Sequence, residues 1–270
     1  MAYFLSFLIL IAGALPVWGQ SDYRNLEPGR PIMIEDAQPI EFRAFELQLG
    51  IPRYSRHRIN GSELSFEPEL NWGFAKDWQG GIGGEAAIVR DGGTTRSFRD
   101  VQLHLLYNFN QEDELLPAMA VRPELTFGAG ALGSEGTHAA LKGIVSKTIG
   151  LNRVHLNGSY TFGGKELPER GSDRLNRYLF GIAYERTLPL EFLVLLADLY
   201  AAEPIDGHRR EIIYDLGTRI QLTPTWVLDA GLFQALRAER LDFGLTLGVS
   251  YVFSFRRIFP KTIREIGGES

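Results

Sequence analysis

Acidic side chains, two arginines and two histidines recur at alternate positions of several short segments of the chain. Residues two apart in an extended segment share one face, so these groups are expected to face one common space. Such groups can pair with each other, bind ions or select the solutes that pass. The candidate pore-lining residues are Glu46, Glu67, Glu69, Glu85, His104, Arg122, Glu124, His155, Glu185, Asp198, Asp215, Arg219 and Asp229.

The predicted wall is predominantly acidic, which favours cations or polyhydroxylated solutes over anions. The alternative is a packed, hydrogen-bonded interior that passes nothing, and the sequence leaves both open. A turn near 75–77 brings Glu69 close to Glu85, a pair that could share a proton or bind a cation. A turn near residue 223 brings Arg219 close to Asp229, and this pair is predicted to be structural.

The histidines and serines give little indication of catalysis. His155 and Ser159 share a face, but four strand residues separate them by about 13 Å, too far for a nucleophile and its base. The chain has no cysteine, which excludes disulfides, thiolate zinc sites and cysteine nucleophiles. We therefore predict a protein that is not an enzyme and holds no cofactor or metal. A lipid-modifying barrel enzyme is the less favoured alternative.

Alternation of apolar and polar residues dominates the chain after its first nineteen residues. In the last such segment, apolar side chains fill every second position from Phe243 to Phe255, and small or polar residues fill most of the others. One face suits hydrocarbon and the other suits water. No later apolar stretch approaches the roughly 20 residues of a membrane helix. The net charge of −5 argues against a nucleic-acid partner.

About twelve such segments are predicted, each of roughly the 9–11 residues that a tilted membrane strand needs. Long polar connections alternate with mostly short ones, with 110–117 as the longer exception among the short ones. This topology predicts an all-β fold, a transmembrane antiparallel up-and-down β-barrel. The strands lie near 42–50, 63–74, 78–89, 98–109, 118–131, 139–149, 153–163, 175–187, 191–201, 210–222, 225–234 and 242–255, with ambiguous frames in 139–149 and 191–201.

Aromatic residues and two prolines add detail to the predicted barrel. The aromatic residues cluster at strand ends, as expected for girdles at the two membrane–water interfaces. Pro68 and Pro123 each remove a ladder donor from a lipid-facing position and are predicted to mark bulges. The girdles comprise Trp72, Phe74, Trp78, Tyr107, Phe109, Tyr184, Phe192, Trp226, Tyr251, Phe253 and Phe255 at one end and Phe127, Tyr160, Phe162, Tyr178, Tyr200, Tyr214 and Phe243 at the other.

The N-terminal segment has the features of an export signal. An almost uninterrupted apolar run covers residues 3–15, and Val17 and Gly19 stand three and one residues before Gln20. We predict a cleaved signal peptide over 1–19 and a place in the bacterial outer membrane. A leader over 20–41 follows, placed in the periplasm, with a plug in the lumen as the open alternative. The barrel covers 42–255 and a C-terminal tail 256–270.

Two sequence runs carry a resemblance to a known family. They are FELQLG at 45–50 and PELNWGFAKDW at 68–78, and Asp215 and Asp229 follow inside glycine-containing strands. Over roughly residues 40–255 the chain resembles the outer-membrane family named for a MetA pathway of phenol degradation. The resemblance implies a transporter-like solute channel and supplies no catalytic residues.

Together these features predict passive uptake of small solutes across the outer membrane, and the resemblance suggests aromatic compounds. The alternative is a structural or surface-interaction barrel without an open pore. The expected partners are outer-membrane lipid, a small-molecule solute and the barrel-assembly machinery, which reads terminal aromatic strands. Lipopolysaccharide phosphates are a further expected partner of the loop arginines Arg53, Arg56, Arg58, Arg170 and Arg174.

Overall fold

The computed structural model describes residues 25–57, 61–164, 175–188, 190, 192–205, 207, 209–239 and 241–254. These residues form thirteen strands. The strands are β1 (Phe45–His57), β2 (Gly61–Phe66), β3 (Glu69–Ala75), β4 (Trp78–Asp91), β5 (Thr94–Asn110), β6 (Ala118–Gly128), β7 (Thr137–Ile149), β8 (Asn152–Phe162), β9 (Asn176–Thr187), β10 (Leu193–Pro204), β11 (Glu211–Thr223), β12 (Trp226–Arg237) and β13 (Leu241–Phe253). Among the described residues there is no helix long and apolar enough to cross a membrane.

The strands close into one antiparallel barrel. β2 and β3 are two halves of one spanning strand, because both pair with β1 on one side and β4 on the other. The described residues therefore give twelve spanning strands. β13 pairs back onto β1, from Phe45 opposite Phe253 to His57 opposite Leu241. Closure leaves no unpaired sheet edge, which is what lets strands lie in lipid. The predicted all-β up-and-down barrel is confirmed.

Alternation along each strand separates a lipid-facing side from an inner side. In β9, Phe180, Ile182 and Tyr184 are exposed, whereas Ala183 and Glu185 are buried. Large apolar side chains cover the outside of the other strands in the same way. Such a surface is unfavourable in water and favourable against acyl chains. The twofold periodicity of the sequence therefore predicted the correct face in nearly every strand.

We call the end of the barrel where β1 begins the turn end, and the opposite end the loop end. A continuous row of aromatic rings surrounds part of the barrel at the turn end. Neighbouring ring centroids along this row lie between 4.2 and 6.1 Å apart. The row runs Trp226, Tyr251, Phe253, Phe45, Trp72, Phe74, Trp78 and Tyr107. This confirms a girdle at the turn end.

The girdle prediction is wrong for Tyr200. Its ring is buried inside the barrel with the apolar side chains of β9 to β12, and does not face lipid. Tyr160, Phe162 and Tyr178 do form an outer cluster at the loop end, with centroids 4.7 and 5.0 Å apart.

The two prolines behave differently. Pro68 and Glu67 interrupt the spanning strand between β2 and β3, which confirms an irregularity there. The bulge predicted at Pro123 is wrong, because β6 keeps one register with β7 through the Pro123–Leu141 pair. A bulge that was not predicted lies where Arg99 and Asp100 oppose the single residue Glu85. It turns both Arg99 and Asp100 inward.

The connections at the loop end are shorter than predicted because several strands continue into them. β1 reaches His57, and β4 and β5 extend to a two-residue turn at 92–93 in place of the predicted loop 90–97. The arginines Arg58, Arg170 and Arg174, the signal peptide and the tail 256–270 lie outside the described residues. Lipopolysaccharide binding therefore stays a prediction.

The long connection at the turn end, 111–117, is held against β7. Glu112 accepts hydrogen bonds from the amide and the hydroxyl of Thr148, at 2.6 and 2.8 Å. Partial burial raises the pKa of the Glu112 carboxyl, but these bonds and Lys147 outweigh it and hold the pKa below its usual value. The carboxylate therefore stays charged at neutral pH and keeps the turn in place.

Candidate functional site

Residues 25–41 lie inside the barrel, and we call them the plug. Ile32, Ile34, Glu35 and Ala37 are almost completely buried, although none of them belongs to a strand. Their partners are inward-facing side chains from strands all around the barrel. The sequence left two places open for the leader, and its described part lies in the lumen. The predicted periplasmic position is therefore wrong for residues 25–41, and the alternative of a plug in the lumen is right for them.

Wall side chains supply the hydrogen bonds that the plug backbone needs. The amide of Met33 donates to the carboxylates of Asp198 at 2.8 Å and Asp215 at 3.0 Å, and the Ile34 amide donates to Asp198 at 2.9 Å. The Ala37 amide donates to the hydroxyl of Ser146 at 2.9 Å. A backbone without secondary structure can be buried only when such partners replace water. The carboxylates of β10 and β11 thus hold the plug in place.

Buried ion pairs tie the acidic side chains of the plug to basic side chains of the wall. Arg122 contacts Glu27 at 2.8 Å and Glu35 at 2.7 Å. Lys142 contacts the other Glu35 oxygen at 2.5 Å, and Arg153 contacts Asp36 at 3.0 Å. Burial alone would raise the pKa of Glu35, but Arg122 and Lys142 outweigh it and lower the pKa below its usual value. Glu35 is therefore an anion at neutral pH.

One side of the lumen is apolar, contrary to the predicted polar wall. Leu26, Ile32 and Ile34 of the plug pack against inward side chains of β9 to β12. Those wall residues are Leu179, Ala183, Val194, Leu196, Tyr200, Ala202, Ile213, Phe233 and Ala235. The two sides of the plug match the two sides of the wall: its acids face β6 to β8, and Leu26, Ile32 and Ile34 face β9 to β12.

A cavity of about 260 Å³ opens above the plug at the loop end. We call it the vestibule. Pro28, Gly29, Arg30 and Met33 of the plug form its floor. Its polar side is lined by Glu63, Glu69, Glu85, Gln102, Glu124 and Lys142, and its apolar side by Leu179, Tyr200, Ala202, Ile213 and Phe233. The cavity is large enough for a small organic molecule and presents unlike chemistry on its two sides.

The thirteen candidate residues all lie on the inner side of the wall, but they divide between two environments. Glu67, Glu69, Glu85, Arg122 and Glu124 line the vestibule. The others lie below it and have their partners in the plug or in the wall: Glu46, His104, His155, Glu185, Asp198, Asp215, Arg219 and Asp229. Whether any of them lines a conducting path stays a prediction.

Of the two predicted pairs, one is present. Arg219 contacts Asp229 at 2.5 Å, as predicted for a structural ion pair. Glu69 and Glu85 instead have separate partners, because the bulge brings Arg99 to Glu85 at 3.1 Å. Glu69 faces His104, with 3.7 Å between Oε1 and Nε2.

Several charged residues of the lumen were missed. Arg99 was missed because a bulge brings it inward, and Lys142 because the frame of its strand was ambiguous. Arg153 continues the inward frame of His155 but lies next to a turn. The acids of the plug lie in a segment without periodicity, so no sequence pattern placed them.

A serine, a histidine and a glutamate do meet, but in a closed place. Ser146 Oγ lies 2.8 Å from His155 Nδ1, and His155 Nε2 lies 3.5 Å from Glu185. All three side chains are buried away from the vestibule, and the Ser146 hydroxyl already accepts the Ala37 amide. A nucleophile needs access to its substrate. This cluster serves to hold the plug.

The fold and the lumen together define the class, a transmembrane β-barrel of the outer-membrane type with an N-terminal plug. An outer membrane channel from Pseudomonas putida F1 has a similar fold, with a TM-score of 0.55 at 13% identity over 84% of this chain and 100% of that chain. At that identity the likeness shows the fold alone.

Two further solved structures are similar at lower scores. The NanC porin has a TM-score of 0.49 at 12% identity, covering 78% of this chain and 100% of its own. The CymD monoaromatic hydrocarbon channel has a TM-score of 0.47 at 10% identity, covering 81% and 90%. No family model and no curated protein matches the sequence. Membership of the phenol-degradation family therefore stays a prediction.

Proposed function

We propose that the protein is a passive channel of the bacterial outer membrane, in which the plug closes the lumen and small solutes enter from the vestibule. The observation that carries the proposal is the cavity of about 260 Å³ whose floor is the plug. A barrel built only as a scaffold needs no such cavity. Displacement of the plug would join the vestibule to the turn end.

The way in which the plug is held supports a movable closure. No described residue of the plug pairs with a strand of the wall, and its one bridge, Glu27 with Arg30, lies within the plug itself. The contacts to the wall run through side chains, such as Asp198 to Met33 and Arg122 to Glu35. The plug can therefore leave without breaking a β-ladder.

The two-sided vestibule supports small aromatic compounds with a polar group as solutes. Tyr200, Ile213 and Phe233 offer an apolar face to a ring. Lys142 and several carboxylates stand across the cavity and can bind a hydroxyl or another polar group. A purely polar sugar would leave the apolar face without a partner.

Ile213→Asn is expected to test this solute class. The change puts an amide on the apolar face, so efflux of tyrosine, a phenol whose zwitterion the lipid retains, falls several-fold relative to efflux of arabinose from proteoliposomes. Glu211→Gln, which also lines the vestibule, is the matched control and leaves the ratio of the two rates unchanged. An equal loss for both solutes in Ile213→Asn would contradict an aromatic preference.

The burial of the plug favours a second candidate, a structural barrel without an open pore. Ile32, Ile34 and Ala37 are covered as completely as residues of a soluble core. Under this candidate, the plug never leaves and the vestibule ends blindly. Conductance after removal or locking of the plug distinguishes the two candidates.

A further inference from the structure

Three potential metal ligands meet under the vestibule. Glu27 belongs to the plug, Glu69 to β3 and His104 to β5, and one ligand atom of each lies within 4.8 Å of the other two. Glu27 and His104 are buried, while Glu69 also lines the vestibule. A small ion can therefore reach the cluster from the loop end.

Two ligand atoms of this cluster have no hydrogen bond to the described protein. His104 Nε2 and Glu69 Oε1 are buried without a hydrogen bond, and at 3.7 Å they are too far apart to make one with each other. The amide nitrogen and oxygen of Asn71 beside them are buried and unpaired as well. Buried polar atoms are normally satisfied, so a group of orphans aimed at one place indicates a ligand.

Gly81 makes the space for this arrangement. A Cβ at this position would lie 2.1 Å from Cε1 of His104 and 2.2 Å from Oδ1 of Asn71. The imidazole of His104 and the amide of Asn71 therefore occupy space that the side chain of any residue other than glycine at position 81 would fill.

The charges around the cluster do not balance. Arg122 and Lys142 are the basic groups here, and four carboxylates surround them. These acids are Glu27, Glu35, Glu69 and Glu124. The carboxylates outnumber these basic side chains, which favours a cation over an anion at this place.

Two hydrogen bonds orient the Glu27 carboxylate but do not occupy all of its acceptor positions. Gln79 donates to Glu27 Oε1 at 2.8 Å, and Arg122 donates to Glu27 Oε2 at 2.8 Å. A carboxylate has about four acceptor positions, so lone pairs remain for a metal. Hydrogen bonds that orient a ligand in this way are typical of metal sites.

We propose that Glu27, Glu69 and His104 bind a divalent transition-metal ion, best matched by Zn²⁺, which links the plug to the wall. The imidazole nitrogen argues against Mg²⁺ and Ca²⁺, which take oxygen ligands. Two carboxylates and one histidine suit Zn²⁺, and three protein ligands leave a coordination position open toward water or solute.

The test is metal binding by the full mature chain, refolded without a histidine tag and stripped with a chelator. Calorimetry with Zn²⁺ is expected to give one equivalent per chain, and Co²⁺ is expected to give the visible absorption of a low-symmetry site with a nitrogen ligand. His104→Gln and Glu69→Gln are each expected to weaken Zn²⁺ binding by at least about tenfold. Glu124→Gln removes the same charge from the same side of the vestibule and should retain the wild-type affinity.

Each result decides the proposal without reference to transport. Tight one-to-one binding that depends on His104 and Glu69 supports it, whether or not the barrel conducts. Absence of Zn²⁺ binding to the folded wild-type chain would overturn it, and that measurement needs no variant. Equal weakening in Glu124→Gln would also overturn it, because attraction by general negative charge would then explain the binding.

Discussion

Removal of residues 25–41 is expected to turn a protein with rare openings into one with steady, discrete current steps. Twelve strands enclose an interior wider than their own inward side chains fill, and the plug occupies the remainder. The wall that stays behind has more acidic than basic inward groups, so the current should prefer cations. Recordings in planar bilayers at neutral pH measure both effects.

The deletion is informative only if the barrel remains closed. The β1–β13 pairing begins at Phe45, beyond the deleted residues, so closure does not depend on the plug. Heat-modifiable migration on a gel checks folding before any recording. A folded deletion variant with no more current than the full chain would show that the vestibule ends blindly.

The second large effect is expected from Arg122→Met, which removes the guanidinium between Glu27 and Glu35. Breaking a buried ion pair by removing one partner costs about 3–5 kcal/mol, because the other charge stays buried and unpaired. Here the cost falls on the docked plug, because Glu27 loses its basic partner and Glu35 is left with Lys142. The plug should then leave the lumen far more often, and hydrogen exchange of the Met33 and Ile34 amides should speed up by about two orders of magnitude or more.

Arg99→Met is the matched control for this variant. Arg99 is equally buried and also joins two glutamates, Glu63 at 2.8 Å and Glu85 at 3.1 Å. Both of these belong to the wall, so the control loses barrel stability and leaves plug exchange near the wild-type rate. Equal acceleration in both variants would contradict the role of Arg122 as the anchor of the plug.

The barrel could be predicted from sequence because each strand has one lipid-facing and one inner side. Phe180, Ile182 and Tyr184 alternate with Ala183 and Glu185 for this reason. Twofold alternation is a local pattern, and it sets strand frame, strand number and the order of pairing together. It fails where the backbone departs from regular pairing, as at the bulge that turns Arg99 inward.

The plug could not be placed from sequence because no local pattern encodes it. Its position depends on side chains distant in the chain, such as Asp198 for Met33 and Ser146 for Ala37. The apolar inner face of β9 to β12 has the same cause, since Ile32 and Ile34 cover it. Inward leucines there are favourable only with the plug in place, so the predicted predominantly acidic wall does not extend to this side of the lumen.

The central claim is that the plug closes a channel and must move for it to open. A disulfide between Ala37→Cys and Ser146→Cys tests it most directly, because the Ala37 amide lies 2.9 Å from the Ser146 hydroxyl and the chain has no other cysteine. Bilayer current is recorded from the oxidised double variant and again after dithiothreitol, with each single variant as control. We expect no steps while the plug is locked, and the rare steps of the full chain after reduction. The same current in the locked and reduced states would contradict it.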